Sequence, residues 1–452
     1  ATTDANSGVI NLGTLAVDGT VALTTNGTGS ATIDNGTTAI NIAASSVGGN
    51  LRLISGNASG ITDSGTVTVG GNLIARTDAN NGVINLGTLA VDGTVALATN
   101  GIGNATVVND TALKLRHGSA VGGNLSATAI TGDITDSTYL NITGTSSFTT
   151  NANNAKITLD NSNNAFTGSI SLNTIGPLAH AVVDNGTTAL DIAASNIGGD
   201  LSLISGNALG ITDSGTVMVG GNLVVTTDAN NGAIDLGTLA IDGTVAVVTN
   251  GKGNATMIND IDFDFANSTI GGDLTATATS GDLLFQGSVN TIGDVDLKAT
   301  DGSILNNNVS TVAGNIKGET ITLIALNTIG TIKKGINIDA KILNASTTSK
   351  NPKSDINILN RGNLTLAKVK TVDGNINIKS DGFVKSEDVV AGGMGLVKIV
   401  DLETIRLAAA AIAAEEKKRL ATAAAKKKKR LAALAAAVDI PPPPAPTIQI
   451  TP

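Results

Sequence analysis

Three short stretches of the chain place Asp and Asn at alternate positions, as calcium-binding loops do: DANSG at 4–8, DANNG at 78–82 and DANNG at 228–232. Each lacks the bidentate Glu that closes such a loop. A worn copy, TNANNAKITL at 150–159, carries Asn151 where the others have Asp. Turns held by Asx hydrogen bonds are the reading, with calcium as the alternative. TNGTG, TNGIG and TNGKG (25–29, 99–103 and 249–253) offer G-x-G with no third glycine. A phosphate loop needs a strand feeding the start of a helix, and these fall between strands, so they too read as turns. His117 and His180 lie in different repeats, and only His180 has a carboxylate near it in sequence, Asp184. One such pair does not make a metal site. No catalytic, cofactor-binding or metal residue is assigned.

The remaining polar residues point the same way. Polysaccharide-cleaving enzymes gather acids, Lys/Arg and aromatics in one groove, whereas here the Asp residues recur with the repeat and sit at turns. Tyr139 is the only Tyr, Trp is absent and aromatics are 2% of the chain, so there is no platform for sugar stacking. The absence of Cys excludes disulfides, thiol catalysis and Cys-ligated zinc. Residues 1–260 carry 18 Asp against 6 Lys/Arg, an acidic body that argues against nucleic acid as the partner. No apolar run is long enough to span a membrane, and no charged-then-apolar leader follows Ala1.

What must position these residues is a ladder. Words such as GTVAL, GNLRL, GDLSL and GNINI pair a glycine with strict apolar alternation, the mark of a strand with one buried face. Their first apolar residues are Val21, Leu51, Leu73, Val95, Leu125, Phe148, Ile170, Leu201, Leu223, Val245, Leu274, Val295, Ile316, Ile336, Ile356 and Ile376. Most steps between them are close in length to that from Leu51 to Leu73. Four are longer by about a third, at Val21–Leu51, Val95–Leu125, Ile170–Leu201 and Val245–Leu274. Two ordinary steps and one long one add up to the interval of the longest repeat. TDANSGVINLGTLAVDGTVAL returns at that interval from residue 3 to 77, and then, counting the worn copy, at 150, 227 and 300. Tandem duplication explains it. Leucine-rich repeats share the coil length but need a helical segment and their own Leu spacing. Here β-branched residues and Thr dominate, with Gly/Asn turns every few residues. The expected fold is all-β, a right-handed parallel β-helix over 1–385 with three strands per coil. Some 16 to 17 coils would make a rod ~75 to 80 Å long. Each long step is expected to bulge about eight extra residues from one face.

At this point the residues resemble a family. AVGGNLSATAITGDITDS (120–137) and VDGNINIKSDG (372–382), with their Gly-[Asn/Asp]-aliphatic openings, are similar to filamentous-haemagglutinin-type exoproteins, bacterial adhesins of two-partner secretion. The resemblance covers roughly residues 1–385. It implies secretion to the outer cell surface, an outer-membrane secretion partner, and attachment to cells, surfaces or matrix polysaccharide. The family's amino-terminal secretion domain has no match, since Asn351-Pro352 falls far too late, so the chain reads as a downstream piece of a longer exoprotein. Asn-x-Ser/Thr triplets at Asn26, Asn57, Asn104, Asn185 and Asn363 match the glycosylation acceptor, though composition alone yields many in so Asn- and Thr-rich a chain.

After about Gly395 the grammar changes. Residues 401–438 are Ala/Lys-rich helix formers with Asp401 placed to cap and Glu415 able to pair with Arg419. Lys426–Arg430 cover every side of that helix, and 439–452 is Pro-rich and extended. Residues 386–400 and the start of the helix are expected to lie across the last coil as a cap. At the amino end another coil is expected, from the same chain or from a neighbour stacked end to end. The functional expectation is a non-catalytic adhesive rod with no cofactor. The alternatives are a self-assembling extracellular filament subunit and a carbohydrate-active β-helix enzyme.

Overall fold

The computed structural model describes all residues except 5, 79–80, 117, 229–230, 308–315, 352 and 439–452. The strands form two parallel ladders that face each other across a single apolar core running from Ile10 to Ile378. The first sheet starts at Ile10–Leu12 and the second at Thr20–Val21. In the first, Ile10 pairs with Ala31, then Leu51, Leu73, Val95 and Leu115, each one coil further on. Leu51, Leu73 and Val95 therefore stack in one column, as the periodicity requires. The fold is a parallel β-solenoid of about 18 turns, roughly 85 Å long at the usual strand spacing.

A coil contains one straight strand and, opposite it, two short strands meeting at a bend. Leu51–Ser55 lies in the first sheet, with Ile61–Asp63 and Val67–Val69 bent across the second. Along the rod this asymmetry changes sides. From Ala105–Asn109 onward the straight strands are in the second sheet, and the bent pair, such as Leu113–Leu115 with Ala120–Val121, is in the first. By Leu201–Ser205 the straight strands are back in the first sheet.

The four long steps are corrected by this swap. Val21 stacks on Ile42 in the second sheet, whereas Leu51 belongs to the first. Likewise Val95 and Leu125, Ile170 and Leu201, and Val245 and Leu274 lie in opposite sheets. Each long step is thus one coil and a half. The additional residues are the next strand and its turn, and among the described residues no bulge exists at these places. Four half-coils are also why the rod has about 18 turns where the anchors alone give fewer. The later step Val295–Ile316 crosses sheets as well, since Val295 stacks on Ile321 in the second sheet while Ile316 belongs to the first.

The duplicated unit consequently spans three and a half coils. Its first strand falls at Ile10 in the first sheet, Ile84 in the second, Ile157 in the first, Ile234 in the second and Ile304 in the first. Successive copies are related by a half-turn about the rod axis, and copies two apart by seven whole coils. Four buried Asn residues mark the coils where the sides exchange. The Asn35, Asn109, Asn185 and Asn259 side chains are fully buried. Each accepts the amide of a residue 18 or 19 positions back (Val17, Val91, Phe166 and Ile241) at 2.8 to 2.9 Å and donates to the same residue's carbonyl at 3.0 to 3.3 Å. They replace strand-to-strand bonds where a straight segment gives way to a bent one.

Packing is built from β-branched and Leu side chains, with five of the six Phe fully buried in two clusters. Phe148 and Phe166 meet edge-on at 5.8 Å, and Phe263, Phe265 and Phe285 lie at 4.5 and 5.6 Å. Corners need glycine where coils touch. A Cβ on Gly71 would sit 2.8 Å from the Gly49 carbonyl carbon and oxygen of the coil before, and the two amides stack with Gly71 N–H donating to Gly49 at 3.0 Å.

The carboxyl end departs from expectation. Val384–Ser386, Val389–Ala391 and Val397–Asp401 continue both ladders in parallel register, so 386–400 forms one more coil and does not fold across the last one. The helix α1, Leu402–Val438, starts with the Thr404 amide donating to Asp401 at 2.8 Å. That bond holds the Asp401 carboxyl below its usual range. Over residues 404–436 the helix is exposed on every side, so it leaves the open end uncovered. The ion pair found on it is Glu403–Arg406 at 3.6 Å. The Pro-rich tail lies outside the described residues.

The half-coil repeat and the buried Asn set can each be tested. Deleting 77–149 joins Arg76 to Thr150 within one repeat word and removes three and a half coils. The protein is expected to stay folded and to shorten by about 17 Å in small-angle scattering. Asn109→Ala takes from the core the side-chain acceptor of the Val91 amide, while the Val91 carbonyl keeps the Thr111 hydroxyl, and is expected to cost ~1–3 kcal/mol in denaturant unfolding.

Candidate functional site

Of the repeated Asp/Asn loops, residues 5, 79–80 and 229–230 lie outside the described residues; the turn that follows them in each loop is described. Ser7, Asn81, Asn154 and Asn231, at the same place in each copy, adopt left-handed backbone with φ between 54° and 65°, a conformation in which Asn is tolerated better than most residues. Asn81 Oδ1 accepts the Ile102 amide of the next coil at 2.9 Å, and Asn231 Oδ1 accepts that of Lys252 at 2.7 Å. The Asn81 and Asn231 side-chain oxygens are thus committed to coil-to-coil bonds. The Asp78 carboxylate pairs with Arg76 at 2.6 Å. The G-x-G words close as turns clasped by their first Thr, with Thr25, Thr99 and Thr249 donating to the Gly29, Gly103 and Gly253 carbonyls at 2.6 to 2.7 Å.

A second polar ladder runs up the corners after each Gly-Gly word. Asn50 Oδ1 accepts the Asn72 amide at 2.8 Å, and Asn72 Oδ1 accepts the Thr94 amide at 2.8 Å. Asp273, Asp294 and Asp355 serve the same purpose further along. His180 takes an Asn place in this ladder. Its Nδ1 accepts the Asp200 amide at 2.9 Å, so its carboxylate neighbour is Asp200 of the next coil, with Asp184 not its partner. His117 lies outside the described residues, and Tyr139 is half-exposed. That Asn side chains can ladder between turns is legible in so Asn-rich a repeat; which Asn residues do so at the corners and in the core is seen only in the structure. Their signals were present as the GG[N/D] words and as Asn recurring at 35, 109, 185 and 259.

Carboxylates are used structurally too. Asp63 accepts the Gly87 and Thr88 amides at 3.0 and 2.7 Å and the Thr88 hydroxyl at 2.8 Å, bracing the bend of the second sheet, and Asp213 repeats the arrangement on Gly237 and Thr238. The notch beside each brace holds a single acid, Asp110 or Asp260, with no second acid, His or Lys lining it. A pair of groups with opposed acid and base roles is not assembled there. Among the described residues no three His, Cys, Asp or Glu side chains gather as metal ligands would. Burial pushes the Asp136 and Asp264 carboxyls above their usual range, against the pull of hydrogen bonds from Asn164 (2.6 Å) and Gln286 respectively. Asp184 is raised mainly by burial, and further by the charges of Asp228 and Asp160.

Charge is sorted along the axis. Residues 1–300 hold 24 Asp against 7 Lys/Arg, 301–400 hold 8 acids against 12 bases, and 401–452 hold 5 against 9. On the outer face of the first sheet, near the basic end, Ile332, Lys333, Leu359, Lys379, Lys398 and Val400 line a shallow groove. Ile332 is 82% exposed.

Residues 102–173 match a family described as "Repeats of unknown function (DUF5649)". The matched segment is about as long as one repeat unit and runs from one TNG turn to the corresponding place in the worn copy. No curated protein and no solved structure matches the chain. No helix among the described residues is long and apolar enough to cross a membrane.

Asp136 supplies a test of how the carboxylates act. The folded state holds its proton more tightly than the unfolded chain, so the group favours folding below the unfolded value of about 3.8 and opposes it as the pH rises beyond. Asp136→Asn is expected to raise the thermal midpoint at pH 7, with the gain vanishing at pH 3, in calorimetry at the two pH values.

Proposed function

We propose that the chain is the non-catalytic rod of a secreted or surface-displayed bacterial adhesin, attaching cells to one another, to surfaces or to matrix polysaccharide. The observation that carries this reading is the use of the polar residues. Those a sequence search would single out for chemistry (the Asp/Asn loops, the G-x-G words, His180) are bonded from one coil to the next. A ladder of about 18 turns, in which backbone and corner side chains both bond along the axis, suits a part whose work is reach and resistance to unfolding. Support for the location comes from the resemblance of the Gly-[Asn/Asp]-aliphatic coils to two-partner secretion exoproteins, and an outer-membrane secretion partner belongs to the same reading.

A self-assembling filament subunit is the second reading, favoured by the separation of charge between body and carboxyl end. A carbohydrate-active enzyme is disfavoured because each notch holds one carboxylate without a partner of the opposite role.

The reading is tested by coating beads with the purified protein and measuring their retention on bacterial cells and on immobilised acidic and neutral polysaccharides. Retention above that of uncoated beads, with no chain shortening of any polysaccharide with or without calcium, is the expected result. Cleavage that disappears on Asp260→Asn would transfer the protein to the enzymes.

A further inference from the structure

We propose that the basic groove of the last coils docks on the first-sheet face around coils nine to twelve of a second copy of this chain, giving a reciprocal antiparallel dimer. This goes beyond the adhesive rod and stands whether or not the rod attaches to surfaces.

The groove is half of a complementary pair. Its floor is apolar and its rim cationic, with Lys333, Lys379 and Lys398 exposed and, among the described residues, no carboxylate in ion-pair contact with them. The other half lies on the same sheet. The outward column Val182, Ser202, Val224, Ala246 runs beside Asp184, Ile204, Thr226, Val248. Val224 and Val248 are 40% and 38% exposed. Asp160, Asp184 and Asp228 edge this apolar strip, and their charges are close enough to raise the Asp184 carboxyl.

The duplication provides an internal control. Seven coils earlier, the equivalent face carries Arg52 and Arg76 where this one has Ser202 and Thr226, and Arg76 pairs with Asp78, the counterpart of Asp228. The earlier face thus pairs Asp78 within itself. In the later copy both arginines are gone; Lys252 stands where the earlier copy has Ile102, but among the described residues no ion pair joins it to Asp184 or Asp228. A second chain's lysines supply the missing charge, and Ile332, Leu359 and Val400 cover the exposed valines.

Geometry makes the contact reciprocal. Groove and strip share one sheet face and stand about seven coils apart, ~34 Å. Two rods laid antiparallel, face to face, place each groove on the other's strip under a single two-fold axis.

Sedimentation velocity of the full chain, over a concentration series at about 0.05 M and about 0.5 M NaCl, reads the proposal. The expected result is a dimer at low salt that weakens at high salt. Lys379→Glu with Lys398→Glu, and separately Asp184→Lys with Asp228→Lys, should each weaken it by at least about tenfold. Mixing the two double variants should recover a heterodimer, one contact being the native lysine groove on its acidic strip and the other its charge-reversed counterpart, and circular dichroism of each variant shows whether its ladder is intact. A monomer at both salts overturns the proposal. So does a dimer that both double variants leave unchanged, or one lost on removing 402–452 with the groove untouched. Retention of a purely monomeric protein on dextran sulfate, abolished by the lysine changes, would assign the groove to a polyanion and equally overturn it.

Discussion

Everything in this rod rests on the hydrogen bond between a residue and the residue one coil later. That bond fixes the spacing at ~4.8 Å and forces every coil to have nearly the same outline as its neighbours. An outline that must repeat leaves no room at a corner for a Cβ pointing into the next coil. Glycine therefore occupies the tight corners, and Asn, Asp or Thr occupies the places where a side chain can copy the backbone bond. The Asn50–Asn72–Thr94 series and the Gly49–Gly71 stack are two answers to one constraint. Buried polar groups are costly unless bonded, and the core Asn residues have both oxygen and nitrogen bonded.

The same constraint explains why a duplicated unit can span a half-integral number of coils. A new copy must join the strand beneath it in register, but it need not begin on the same side. Both sheets are parallel ladders with the same alternation, so a unit of three and a half coils extends the rod as well as one of three or four. The penalty is local: a straight strand must stack on a bent pair wherever the sides exchange. Asn35, Asn109, Asn185 and Asn259 offset it by bonding the backbone at the exchange. The consequence for function is a rod whose opposite faces carry related surfaces, half a turn and about 17 Å apart. Divergence between copies, such as the loss of Arg52 and Arg76 equivalents, can then make one face differ from its twin without disturbing the ladder.

Much of this was legible in the chain itself. Alternation, Gly/Asn corners and a regular coil length determined the parallel solenoid and the three strands per coil, because those patterns record burial and turn geometry directly. The turn character of TNGKG was legible for the same reason, as was the helix capped by Asp401. Tertiary structure alone decided which sheet each strand joins. Val95 and Leu125 open similar words and point equally inward, so nothing local separates a coil from a coil and a half. It also decided that 386–400 adds a coil, since an apolar segment can pair with a ladder or lie across it, and only the free edge of 376–380 selects pairing. And it brought His180 to Asp200, and the lysines of three coils to one face, because neighbours in a solenoid are set by the coil length and not by separation along the chain.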